Sequence, residues 1–81
     1  MQGKIILANR LRARYAVVSD HGCTLFELVG GAELGVGDMI SVNFESVGSE
    51  TVRHGGDEIS VVVRNVDCGL GSALRWVRAL Q

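Results

Sequence analysis

Two histidines, two cysteines and a set of alternating arginines are the residues whose chemistry could go beyond packing. His21-Gly22-Cys23 and His54-Gly55-Gly56-Asp57 each bring two potential ligands together, but a closed zinc site needs four, and neither run has the paired spacing of one. Hydrolytic catalysis needs a nucleophile beside a base, or paired carboxylates, and both imidazoles fall in turn-like sequence that supplies neither. The expectation is solvent-facing turn histidines, no metal, no cofactor and no enzymatic activity. Cys23 and Cys68 stand far apart without a CxxC spacing and are expected as reduced thiols in a cytosolic setting. Gly35-Val36-Gly37-Asp38 lacks the Lys-Ser or Lys-Thr and the βαβ context of a phosphate cradle, so it reads as a tight turn.

Arg10, Arg12 and Arg14, with Lys4 in the strand before them, place four of the eight basic residues around one expected hairpin. Such a cluster can track a phosphate backbone, and it can equally be solvated surface that protects edge strands from aggregation. The whole chain carries a net charge of −1, so no global field draws it to nucleic acid or anionic lipid, and any basic surface is local.

The elements that would position these residues are mostly strands. Gly3 to Ala8 forms the first, Tyr15 to Val18 the second, and Cys23 to Val29 returns from the turn at Asp20-His21-Gly22 as the third. Met39 to Phe44 is the fourth, with Ile40, Val42 and Phe44 alternating against Ser41 and Asn43. Ser46 to Asp57 is polar and reads as a long loop with at most a weak strand at Glu50 to Arg53. Glu58 to about Val66 is the fifth strand. Beyond Gly69 the period changes, since Leu70, Leu74, Val77 and Leu80 follow helical spacing with Ser72 placed to cap and Arg75 and Arg78 on another face. A helix of about nine residues cannot stand alone in water, so it must dock.

The fold class expected is all-β: a five-stranded, OB-fold-like antiparallel barrel over residues 1–67, with residues 68–81 a short C-terminal α-helix of the same domain. With 81 residues, 47% of them hydrophobic, a chain of this size carries more apolar surface than one small barrel readily covers. Self-association as a homodimer through Leu70, Leu74, Trp76, Val77 and Leu80 is the expectation, with a helix that plugs its own barrel as the alternative. Trp76 reads as a packing anchor. No run reaches the ~18 apolar residues of a membrane span, and the first apolar run is too short for a signal segment, so a cytoplasmic protein is expected.

The strand order and spacing over about residues 3–66 resemble the cold-shock domain. Gly3-Lys4-Ile5-Ile6-Leu7-Ala8-Asn9 is similar to that family's opening strand, Arg12 to Val18 lies at the position of its second-strand motif, Asp20-His21-Gly22 at its turn, and Leu25-Phe26 where its third-strand motif begins. Leu34-x-x-Gly37-Asp38-x-Ile40-x-Val42 resembles the entry to strand four, a pattern shared with S1-type OB domains. The resemblance implies weak, sequence-tolerant binding of single-stranded RNA or DNA, with Tyr15 and Phe26 stacking on bases beside Lys4, Arg10, Arg12 and Arg14. Where the family stacks bases on aromatics this chain has Leu7, Ala8, Ala16 and Val17. The competing expectation is a protein-interaction or homo-oligomeric module without nucleic-acid binding.

Val42→Asp should abolish the cooperative thermal transition followed by far-UV circular dichroism, because it sets a charge on the apolar face of strand four; an unchanged melting curve would displace that strand.

Overall fold

The computed structural model describes residues 2–19, 22–29, 34–41 and 47–78, with the side chains of Asp67, Cys68 and Leu70 left aside. Six strands, β1 (Gln2–Asn9), β2 (Arg14–Ser19), β3 (Gly22–Leu28), β4 (Met39–Ser41), β5 (Gly48–His54) and β6 (Asp57–Cys68), precede one helix, α1 (Leu70–Arg78). The strands close into a barrel in the order β1-β2-β3-β6-β5-β4, with β4 returning to β1. Every pairing is antiparallel. The all-β barrel with a C-terminal helix is as expected and compatible with an OB-like barrel, but the strands number six rather than five.

The additional strand is β5, which lies in the segment expected as a long loop and takes in the weak strand expected at Glu50 to Arg53. Ser49, Thr51 and Arg53 face solvent and only Val52 is fully buried, so apolar content gives β5 almost no signal. Its continuous ladder with β6, from Gly48↔Val63 to His54↔Asp57, supplies what side-chain burial does not. The ladder ends in a two-residue turn at Gly55-Gly56, where Gly55 has φ of 67°, a backbone conformation costly for any residue with a Cβ. In β4, Ile40 is buried between exposed Met39 and Ser41. Val42 and Phe44 lie outside the described residues, and so does His21.

Inside the barrel, Ile5, Tyr15, Val17, Phe26, Leu34 and Ile40 pack with four residues of β5 and β6, Val52, Ile59, Val61 and Val63. A second apolar cluster lies on the outer face of the first three strands, where Ala16, Cys23 and Leu25 meet Ala73 and Val77 of α1. The helix therefore does not plug the end of the barrel; it lies across the outside of β1, β2 and β3, with Ala73 and Val77 buried beneath it. A bulge in β1 supports this arrangement. The register steps from Ile5↔Val17 to Leu7↔Ala16, so Ile6 and Leu7 both pack in the helix cluster while Ile5 stays in the barrel.

The helix starts sooner than Ser72 would set it. Strand β6 runs through Cys68, leaving Gly69 alone to break the extended backbone, and the Gly69 carbonyl already accepts the Ala73 N–H at 3.0 Å. Gly69 thus holds the N-cap position and Ser72 sits inside the first turn, where its hydroxyl accepts a long 3.5 Å bond from Arg75.

Two glycines should respond to substitution with opposite signs. A Cβ on Gly3 would stand 2.6 Å from Val17 Cγ2 and 3.2 Å from the Val18 carbonyl oxygen, so Gly3→Ala should cost about 1–3 kcal/mol through overpacking. Gly71 in α1 has open space around it, and Gly71→Ala should gain about 0.5–1 kcal/mol from helix propensity. Urea denaturation midpoints of the two variants measure both.

Candidate functional site

The last carbonyls of a helix have no partner within it and need donors from elsewhere. In α1 these donors come from the β1–β2 hairpin: Asn9 Nδ2 donates to the Val77 carbonyl at 2.7 Å and Arg14 Nη1 to the Trp76 carbonyl at 3.1 Å. The Arg14 guanidinium also lies over the Trp76 ring, 4.9 Å from its centroid, a cation–π geometry. A positive group at this place also opposes the negative end of the helix dipole. One arginine thus caps the helix and covers its only tryptophan.

The hairpin loop is itself braced. Asn9 Oδ1 accepts the Arg12 N–H at 3.2 Å, Ala13 N–H donates to the Arg10 carbonyl at 3.3 Å, and the Ala13 carbonyl accepts from Leu28 at 2.9 Å. Ala13 takes a φ of 55° to close the turn, a left-handed conformation that costs an L-residue about 1–2 kcal/mol. Arg10 reaches the neighbouring 34–38 turn, its Nη2 3.6 Å from where a Cβ on Gly35 would sit. That turn is closed by Asp38 Oδ2, which accepts the Gly35 N–H at 2.8 Å and stands 3.8 Å from His54 Nε2. His54 is consequently half-buried beside a carboxylate rather than a fully solvent-facing turn residue.

Docking of the helix brings Arg75 and Arg78, in its last turn, to the same end of the molecule as Arg10, Arg12 and Arg14. Five of the eight basic residues therefore belong to the hairpin or to the helix turn that it holds. Of the others, Arg53 pairs with Glu58 and Arg64 with Glu27, each at 2.9 Å; Glu27 stands opposite Arg14 in the β2–β3 ladder, so this end also holds an acid, itself neutralised by Arg64. Lys4 does not join the group. It sits opposite Val18 and Met39 at the other end of β1, roughly 20 Å from Arg10 at ~3.3 Å per residue.

The base-stacking role given to Tyr15 and Phe26 is corrected by their burial. They are 2% and 0% exposed, face each other across the β2–β3 ladder, and stack with centroids 5.5 Å apart and planes at 15°. Their alternation along β2 and β3 puts them inside the barrel, where no base can reach. The outer face of these strands belongs to α1, so Leu7 and Ala16 pack in the helix cluster, whereas Ala8 and Val17 pack with the barrel core.

The helical residues assigned to self-association separate similarly. Val77 is buried against the chain's own barrel together with Ala73, Trp76 is half-buried, and Leu74 is partly exposed at 37%. Among the described side chains the docked seam is Ala73-Trp76-Val77, while the side chain of Leu70 and all of Leu80 lie outside the described residues. Among the described residues no helix is long and apolar enough to cross a membrane.

Comparison of the chain with protein-family models, with curated proteins and with solved structures gave no match. The class that the geometry defines is a small closed antiparallel barrel whose terminal helix is clamped to its outer face beside an arginine-rich end.

The clamp has a spectroscopic handle. Asn9→Ala and Arg14→Ala should each lower stability by about 1 kcal/mol, and Arg14→Ala should also shift Trp76 emission to the red as the ring loses its cover; an Arg14→Ala emission spectrum identical to the parent would mean that the cation–π contact is not formed in solution.

Proposed function

We propose that this chain is a cold-shock-like OB module that binds single-stranded nucleic acid weakly and with little sequence preference, through its arginine-rich end. The single observation that carries this reading is the convergence of Arg10, Arg12 and Arg14 with Arg75 and Arg78 through the clamp at Trp76 and Val77. In OB barrels the face of strands two and three and the loop between strands one and two are the usual oligonucleotide contacts. Here α1 occupies that face, leaving the β1–β2 loop and the helix end as the surface for the ligand. Phosphate contacts dominate such an interaction, because the two rings that could have stacked are in the core. Without base stacking, worth ~1–3 kcal/mol per base, affinity falls to the ~10⁻⁴–10⁻⁶ M of non-specific electrostatic binding.

A protein-interaction surface is the second reading, favoured by one observation. Leu11 is 86% exposed at the hairpin tip between Arg10 and Arg12, and Val36 is 66% exposed in the turn that Arg10 touches. Two exposed apolar side chains on adjacent loops, with Arg10 and Arg12 flanking Leu11, suit a partner with an apolar centre and an acidic rim.

Salt separates the two readings. In a fluorescence-anisotropy titration with labelled single-stranded oligonucleotides, binding should be measurable at low salt and weaken steeply towards physiological salt. Arg10→Ala with Arg12→Ala, or Arg75→Ala with Arg78→Ala, should reduce the log–log salt slope by roughly 1.4, at ~0.7 for each phosphate contact to a single strand. Arg14 is kept because it holds the helix. Lys4→Ala should change little. Absence of binding at low salt, or binding that survives both double replacements, removes the nucleic-acid reading.

A further inference from the structure

The ladder between β3 and β6 places Cys23 directly opposite Cys68, and neither residue belongs to the arginine-rich end. We propose that Cys23 and Cys68 form a reversible disulfide that fastens the β3–β6 seam at the foot of α1.

The register supplies the backbone placement that a disulfide needs. Directly opposed residues of an antiparallel ladder have Cα atoms about 4.5–5.5 Å apart, depending on which kind of pair they form, and disulfides span Cα separations of about 4.4–6.8 Å. The neighbouring rung is Leu25↔Asn65, so β6 carries one more residue than β3 between the two rungs, and the cysteines stand beyond that irregularity at the end of the ladder. There the backbone can adjust to the torsion of an S–S bond without disturbing the regular pairing of β5 with β6. Cys23 carries a buried thiol in the cluster that seats the helix, with Ala16, Leu25, Ala73 and Val77 around it.

The oxidant is a small-molecule disulfide. One protein thiolate attacks a sulfur of it, breaking its S–S bond and releasing one small thiol. The second protein thiolate then displaces the remaining half, which forms the Cys23–Cys68 bond and releases a second small thiol. Two protein thiols lose two electrons, the oxidant gains two, and both protons leave on the released thiols. A single residue, Gly69, then separates the covalent anchor from the first residue of α1. The oxidised chain holds its helix by a covalent bond near one end and by Asn9 and Arg14 at the other.

The test uses the full chain at micromolar concentration, equilibrated in mixtures of oxidised and reduced glutathione. Remaining thiols are blocked by alkylation, and intact mass and peptide mapping follow. Burial of Cys23 slows exchange, so incubation continues until the populations are constant. The expected product is a monomer lighter by two hydrogens, with the Cys23 peptide linked to the Cys68 peptide and a Tm raised by roughly 10 °C through the restricted unfolded chain. Alkylation of both thiols at the most oxidising ratio, glutathione adducts instead of the link, linkage between chains, or a Tm that does not rise would each overturn the proposal. Cys68→Ala should lose the oxidant-dependent shift in Tm, and a shift that persists there also overturns it. The mass measurement on the unaltered chain stands by itself should Cys23→Ala fail to fold.

Discussion

Along β2 the side chains of Tyr15, Ala16 and Val17 are all removed from water, and along β3 so are those of Cys23, Thr24, Leu25 and Phe26. Because side chains alternate in a strand, such runs need cover on both faces. Barrel closure covers one of them. Nothing in a six-stranded barrel covers the other, so α1 must, and the meeting of the helix end with the β1–β2 hairpin follows from that demand. The helix approaches closely because the residues beneath it include Ala16 and those it offers include Ala73. Its C-terminal end consequently arrives at the β1–β2 hairpin, where Asn9 and Arg14 meet its open carbonyls.

Much of this was legible in the amino-acid sequence, and the failures have separate physical causes. Strands β1, β2, β3 and β6 announce themselves through dense apolar runs, and the change of period after Gly69 announces the helix. Strand β5 does not, because its stability lies in main-chain pairing with β6 and only Val52 contributes a buried apolar group. The Gly55-Gly56 pair was the available signal for that hairpin, since a two-residue glycine turn between strands is a recognised hairpin mark. Tyr15 and Phe26 fall on the expected strands, but on the inner face rather than on the surface that base stacking requires. A strand covered on both sides loses the alternation from which facing is read.

The arginine-rich end was half visible. Arg10, Arg12 and Arg14 lie close in sequence and declare themselves, whereas their neighbourhood with Arg75 and Arg78 depends on contacts 62 and 68 residues apart. No local pattern encodes such a meeting. The cysteine pair is similar: spacing alone gives two isolated thiols, and only the register of β3 with β6 puts them across from each other.

The two bonds that clamp the helix end tie the first strand and its hairpin to the last described turn of the chain. Loop closure over that many residues gives little return until the intervening strands are in place, so the clamp belongs to the late side of the folding barrier. During synthesis the barrel strands emerge first, with the outer face of β1 to β3 still bare. That aliphatic face is the surface most exposed to wrong association in the interval, the usual hazard of structures dominated by non-local pairing. The single residue between β6 and α1 shortens the interval, since completing the last strand delivers the helix to the foot of its own seat.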